Sequence, residues 1–452
     1  MEKLFKLKEH HTDVKTEVIA GITTFTTMAY ILAVNPNMLG DAGMDAGAVF
    51  TATALASFVA CLMMGLTANL PFALSAGMGL NAYFAYTICG QMGYSWHVAL
   101  AAVFVEGLLF ILLSLTNVRE AVFNAIPKTL KFAVSVGIGL FIAFSGLQNA
   151  HIVTDSTTLV SMFSFKASME AGTFRSEGIT VLLASAGVLI TAILLIKKVR
   201  GNILIGIGAT WILGIICQLT GLYVPDPDAG FYSLLPSGIF SMPASMAPTF
   251  LKMSFSGIGI MDFITIMLAL LFVDMFDTIG TVIGCAAKAD MLDEKGKLPE
   301  VRSILLSDAV GTTVGAVFGT STVTTFVESS AGIAHGGRTG LTTIVTGFLF
   351  LLSLFLSPIF LAVPSFATAP ALIIVGFMMM QQIVKIDMEE LSEAIPAFIT
   401  LIAMPFMYSM SAGISLGIIS YVGINLFIGK RERISPLMYV LTVLFVLKYM
   451  ML

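Results

Sequence analysis

Apolar runs about as long as a bilayer is thick follow one another along nearly the whole chain, separated by short clusters rich in Gly, Pro and charge. A helix needs about 20 mainly apolar residues to cross a membrane. Stretches 98–116, 178–196, 203–222 and 341–363 supply such runs almost without ionisable residues. The pattern predicts an all-α polytopic membrane protein with fourteen segments, near 17–37, 46–68, 70–90, 97–116, 131–149, 178–196, 203–222, 255–286, 303–320, 322–335, 341–357, 365–381, 395–409 and 411–428. A last apolar stretch, 437–452, is short for a span and follows GKRERISP, so a helix lying at the inner surface is expected there.

Two segments depart from the helical pattern. The third, LPFALSAGMGLNAYFAY, opens with Pro71 and holds two glycines, and the tenth, GTSTVTTFVESSAGIAHGG, is rich in β-branched and polar residues. Each reads as an extended strand leading into a half-helix. Non-helical backbone at membrane depth survives only when buried in protein or lining a cavity. Half-helix N-termini then offer N–H groups and a positive dipole end to a ligand. Seven segments precede the expected extracellular loop at 223–254 and seven follow it, and this odd number gives the halves opposite orientations, as in an inverted repeat. Gly65 and Phe72 before Ser75-Ala76-Gly77 are echoed by Gly319 and Phe326 before Ser330-Ala331-Gly332, which makes the two broken segments counterparts.

Composition agrees with this picture. The 452 residues are 57% hydrophobic and 11% charged, with a mean hydropathy of +0.96, whereas a soluble domain carries about 25% charged residues. The first residues, MEKLFKLKEHHTDVKTE, lack the apolar core of a removable secretory signal, so 1–16 is expected to stay as a cytoplasmic tail. With that end inside, nineteen of the 23 Lys and Arg fall on the inner side, three (Lys166, Arg175, Lys252) fall outside, and Lys448 is unassigned. Cys61, Cys89, Cys217 and Cys285 are scattered singly, without metal or redox spacing. No metal, cofactor or nucleic-acid partner is expected. Gly77-x-Gly79-x-x-Ala82 fits a dinucleotide fingerprint, but lacks both the βαβ setting and the acidic residue about 20 positions on. There is no Walker A string, so pumping would draw on an ion gradient.

Carboxylates inside spans cost several kcal/mol and are functional candidates. In FVDMFDTIGTVIG of the eighth segment, Asp274 and Asp277 stand three apart on one helical face, and Glu328 sits beside the break of the tenth. A site for a flat heterocycle needs acceptors for ring N–H and amino groups, aromatic faces and backbone donors for carbonyl oxygens. Asp274, Glu328, the backbone at Gly77 to Gly79 and at Gly332, and Phe272 or Phe276 provide that set. Asn81, just past the first break, can both donate and accept. Glu106 and Asp308 lie away from the breaks in sequence, fitting either proton linkage or structural pairing. His97, His151 and His335 fall near segment ends, as interfacial residues do. Thr23, Thr24, Thr26 and Thr27 fit bonds to their own helix.

At these residues the chain resembles the azaguanine-type adenine/guanine/hypoxanthine permeases, a branch of the second nucleobase-cation symporter family. The resemblance runs from EVIAGITTFTTMAYILAVNP to the C-terminal segments, and rests on SAGMGLNAYFAY, FVDMFDTIGT and TVTTFVESSAGIAHGGRTGLT. It implies fourteen segments in two inverted repeats of seven, with core domains at 17–116 and 255–357, gate domains at 117–222 and 358–430, and a C-terminal interfacial helix at 431–452. It also implies purine contacts at Asp274, Glu328 and Asn81, with Asp277 matching a second family aspartate. The pair Glu328-Ser329 follows the purine-permease pattern, where xanthine transporters carry Gln-Asn and the uracil branch carries a Glu in the eighth segment. The expected function is proton-coupled uptake of purine nucleobases across the cytoplasmic membrane, with guanine and hypoxanthine foremost and adenine possible. Substrate contacts are expected at Asp274, Glu328, Asn81, Gly79, Phe276, Ser329 and Gly332, and proton coupling at Asp277, Glu328 or Asp274. Sodium coupling and a homodimer stay open. An anion exchanger of the same architecture is the alternative, and a membrane enzyme comes third for want of a nucleophile-base pair.

Overall fold

The computed structural model describes residues 2–115, 126–156, 159–227, 230–288, 291 and 301–451. The basic positions counted at 119 and at 295–297, and the first residues of the expected 117–222 unit, lie outside the described residues. Ten helical stretches among the described residues are long and apolar enough to cross a membrane. The first, 14–41, is α1 (Val14–Met28) followed by α2 (Ile31–Asp41), interrupted at Ala29-Tyr30. Next come α3 (Ala46–Met63), α4 (Trp96–Leu115), α5 (Lys128–Asn149), α6 (Ile179–Ile196) and α7 (Asn202–Leu219). The second half holds α8 (Ile260–Lys288), α9 (Val301–Phe318), α10 (Gly340–Ser353), α11 (Ser365–Met380), α12 (Leu391–Phe406) and α13 (Met410–Phe427). The apolar C-terminal stretch forms α14 (Pro436–Met451).

Residues 70–90 and 322–335 do not form continuous helices. Strand β1 (Leu74–Ala76) runs into a short helix, Met78–Ala82. An exposed hairpin follows at β2 (Val153–Ser156) and β3 (Leu159–Met162), a feature the apolar pattern does not announce. Strand β4 (Val323–Thr325) precedes the half-helix Ser329–Ala334. Strands β1 and β4 pair antiparallel, Leu74 opposite Thr325, Ser75 opposite Thr324 and Ala76 opposite Val323. Each thereby supplies the hydrogen bonds that the other's backbone cannot take from lipid. The pairing extends beyond the strands, with Gly77 N donating to Thr322 O at 3.0 Å and Phe326 N to Ala73 O at 2.9 Å. One expectation needs correction: Ser75 and Ala76 lie in a strand, whereas Ser330 to Gly332 lie inside a half-helix. The matching Ser-Ala-Gly strings are therefore not in structural register; two breaks can correspond without their short strings doing so.

Around the breaks the helices press together where they lack side chains. A Cβ at Gly340 would stand 2.1 Å from the Gly65 carbonyl oxygen, so α10 crosses the continuation of α3 backbone to backbone. The buried Glu17 carboxylate accepts from Arg338 N at 2.8 Å and Thr339 N at 3.3 Å ahead of α10, and from Thr342 N at 3.2 Å and Thr342 Oγ1 at 2.6 Å in its first turn, where the N–H has no partner within the helix.

At the turn before α12, Glu390 accepts from Ser392 Oγ at 2.7 Å and Lys430 Nζ at 3.1 Å, and Arg433 stands 3.4 Å away. The Ser392 hydroxyl first, then Lys430, hold its carboxyl down at about 2, against an ordinary value of 4.5. A depressed folded pKa adds stability above the ordinary value, and that contribution is lost as pH falls from about 4.5 through about 2. Over that window the melting temperature of Glu390→Gln is expected to fall less steeply than that of the unmodified chain. Parallel melting curves would remove Glu390 from the acid response.

Candidate functional site

The two breaks and α8 frame a small, partly open cavity of about 70 Å³. Its wall takes Tyr30 from the interruption of the first span, Gly77, Met78 and Gly79 from the first break, and Asp277 and Thr281 from α8. Residues 324–328 of the second break complete that side, and Ile142 of α5 with Val375 and Met379 of α11 close the other. A larger cleft of about 590 Å³ at Phe240, Met242, Leu352, Phe355 and Leu356 lies elsewhere. It carries no ionisable residue, so its size does not recommend it.

Local backbone explains how the polar groups reach this place. Glu328 stands at the N-cap position of the short half-helix without a side-chain cap bond, which leaves its carboxyl free to turn elsewhere, and it follows by three residues a strand whose Thr324 and Thr325 are buried. Tyr30 Oη donates to Glu328 Oε1 at 2.7 Å, and Thr27 Oγ1 lies 3.4 Å from the Glu328 carbonyl oxygen. The Tyr30 ring packs 6.4 Å from that of Phe326. Thr325 Oγ1, on the wall, has no hydrogen-bond partner among the described residues.

Of the groups named from sequence, the backbone at Gly77 to Gly79, Asp277 and Glu328 line the cavity. Asp274 is fully buried in a web behind it: Thr278 Oγ1 is 3.3 Å from Asp274 Oδ1, 3.0 Å from Asp308 Oδ2 and 2.8 Å from Thr324 Oγ1. Asn81 is also fully buried off the wall, its Oδ1 accepting from Ser321 and its Nδ2 unpartnered among the described residues. Ser329 Oγ accepts from Ala73 N at 2.9 Å, pinning one break to the other. Gly332 packs on the first span, where a Cβ would stand 2.2 Å from Thr24 Oγ1. Phe272 is buried away from the wall, and the side chain of Phe276 lies outside the described residues.

Glu106 and Asp308, distant from the breaks in sequence, are joined to the second one in space. Thr322 Oγ1 donates to Glu106 Oε2 at 2.9 Å, and Asp308 reaches Thr324 through Thr278. Long helices α4 and α9 turn these faces toward the break, a rotation that residue spacing within one helix does not reveal. Thr23 and Thr26 bond back to Ile19 and Ile22 carbonyls as expected. Tyr30, Thr325 and the apolar residues of α5 and α11 were not singled out from sequence, whereas Thr278 and Thr281 are legible there as close neighbours of the two α8 aspartates. A tyrosine inside the threonine-rich first span was the available signal for Tyr30.

A model described as the Permease family matches residues 15–416. The guanine/hypoxanthine permease PbuO of Bacillus subtilis is 44% identical, over 98% of each chain. The adenine permease AdeP of Escherichia coli is 40% identical, over 99% of this chain and 95% of AdeP. The transmembrane domain of the cyanobacterial bicarbonate transporter BicA superposes with a TM-score of 0.62 at 15% identity, over 89% of this chain and 97% of that one. The chain belongs to the Permease family, is a multi-pass membrane transporter rather than an enzyme, and shares the BicA transmembrane fold.

Proposed function

We propose that this member of the Permease family carries purine nucleobases across the cytoplasmic membrane as a proton-coupled secondary transporter. The observation that carries the reading is the cavity wall, where Glu328 and Asp277 face a space framed by both breaks. Carboxylates accept hydrogen bonds, and purines offer ring N–H and amino donors at their edges. The names of the relatives, adenine and guanine/hypoxanthine permeases, support the same substrate class. In this reading Glu328 accepts from the base, the backbone of Gly79 donates to a carbonyl oxygen, and Asp277 carries the coupling proton. Asp274 acts from behind the wall by holding Thr278 and, through it, Thr324. Asn81, Ser329 and Gly332 fix the breaks around the base.

The fourteen segments then form two inverted repeats of seven, with both termini cytoplasmic. Core domains at 17–116 and 255–357 carry the breaks, and gate domains at 117–222 and 358–430 supply Ile142, Val375 and Met379 across the cavity. Rocking of core against gate opens the site alternately to each side, and a homodimer joined through the gate would hold one side still. An anion exchanger needs positive or dipole-only coordination, but no Lys, Arg or His lines the cavity among the described residues.

Counterflow in proteoliposomes with labelled guanine, hypoxanthine, adenine and sulfate tests the reading. Purine exchange is expected, and sulfate exchange without purine flux would sink it. Asp277→Asn is expected to keep counterflow within about threefold while losing accumulation driven by a pH gradient by an order of magnitude or more, since exchange needs no net proton movement. Undiminished accumulation would take the coupling role from Asp277.

A further inference from the structure

We infer that Tyr30 sets the hydrogen-bonding capacity of Glu328, and with it the site's indifference to the purine 2-amino group. The inference rests on the proposed reading that Glu328 accepts from the base. An ionised carboxylate can accept two parallel N–H bonds, one on each oxygen. Here the Tyr30 hydroxyl occupies Oε1 at 2.7 Å. The donor is not free to swing away: Tyr30 is 1% exposed, sits in the interruption between α1 and α2, and packs on Phe326. Thr27 from the same span is 3.4 Å from the Glu328 carbonyl oxygen, so the first span meets both the backbone and the side chain of the glutamate. Both Tyr30 and Glu328 line the cavity. Oε2 has no side-chain donor against it among the described residues and is the stronger acceptor for a ligand, while Oε1 keeps one lone pair beside the Tyr30 hydroxyl.

One strong acceptor beside a weakened one favours a single donor. Hypoxanthine presents N1–H alone on its pyrimidine edge, whereas guanine presents N1–H and the 2-amino group side by side. With one Oε1 lone pair engaged by Tyr30, the second donor of guanine finds only a weakened acceptor, and the donor common to both bases carries most of the contact. Removing the tyrosine hydroxyl frees Oε1 for the second donor of guanine and offers hypoxanthine nothing new.

The test is competition binding of guanine and hypoxanthine to purified, monodisperse full-length protein. Tyr30→Phe is expected to raise the guanine-over-hypoxanthine affinity ratio by about three- to tenfold, the worth of one hydrogen bond. An unchanged ratio in Tyr30→Phe, or equal losses for both bases, would overturn the inference and leave Tyr30 a packing residue. Should Tyr30→Phe not fold, the unmodified chain still decides: a guanine preference above about tenfold contradicts a one-acceptor contact. Glu328→Gln, run alongside, separates the two levels. Retained purine binding there means that the underlying reading fails, whereas lost binding with an unmoved Tyr30→Phe ratio means that only the role of Tyr30 fails.

Discussion

Glutamine in place of Glu328 is expected to leave a folded permease whose affinity for purines is at least a hundredfold lower. The amide keeps the shape of the carboxylate, and its oxygen can still accept from Tyr30, which now holds Oε1 at 2.7 Å. Its NH₂ then occupies the position of Oε2 and points a donor at the donor of the base. The loss combines a hydrogen bond to a charged group, about 1.5–3 kcal/mol, with a buried donor left unpaired, about 1–3 kcal/mol. Together these come to about 2.5–6 kcal/mol, most of it above the roughly 2.8 kcal/mol that a hundredfold represents. Equilibrium binding of labelled guanine to the purified variant measures the effect, and size-exclusion profiles confirm the fold. Binding at the original strength would remove Glu328 from the site.

The second large effect falls on folding. Gly340→Ala is expected to give little or no monodisperse protein. The added methyl would stand 2.1 Å from the Gly65 oxygen and 2.7 Å from its Cα, and both are backbone atoms that no rotamer change can move. Overpacking a tight contact costs about 1–3 kcal/mol when side chains can adjust, and more when they cannot. The span that carries Gly340 is also the one whose N-terminus Glu17 holds, so separating the helices would strip that cap. Gly423→Ala is the control. A Cβ there meets nothing within 4 Å, and the residue lies inside a helix, so unchanged or slightly better yield is expected. Normal yield and melting temperature for Gly340→Ala would show that the crossing is looser than the structure has it.

Much of the architecture was legible in the chain because lipid imposes a simple code. Span length, punctuation and the two irregular segments follow from the need to satisfy every backbone group without water. Glu328 was legible for the same reason, since a carboxylate beside a break has few structural excuses. What remained hidden is set by helix rotation and by contacts between halves. Asp274 and Asp277 are about 60° apart around one helix, and either can face the ligand until the packing of α8 decides. The structure turns Asp277 to the cavity and Asp274 to the threonine web. Glu106 and Asp308 look remote in sequence because their helices arrive at the break from the side. The strand register was hidden too, because the Ser-Ala-Gly strings that suggest an alignment fold differently in the two halves.

The pairing of β1 with β4 also bears on the order in which the protein can be made. Leu74 meets Thr325 only after some 250 further residues have been synthesised. Until then β1 cannot form its ladder, and an unpaired strand cannot rest in hydrocarbon. The first break must wait at the insertion machinery, in water, or against neighbouring spans that cover it for a time. The cavity between the breaks is therefore completed after most of the surrounding helices are in the bilayer, and premature exposure of 70–76 is a point at which quality control could recognise an unfinished chain.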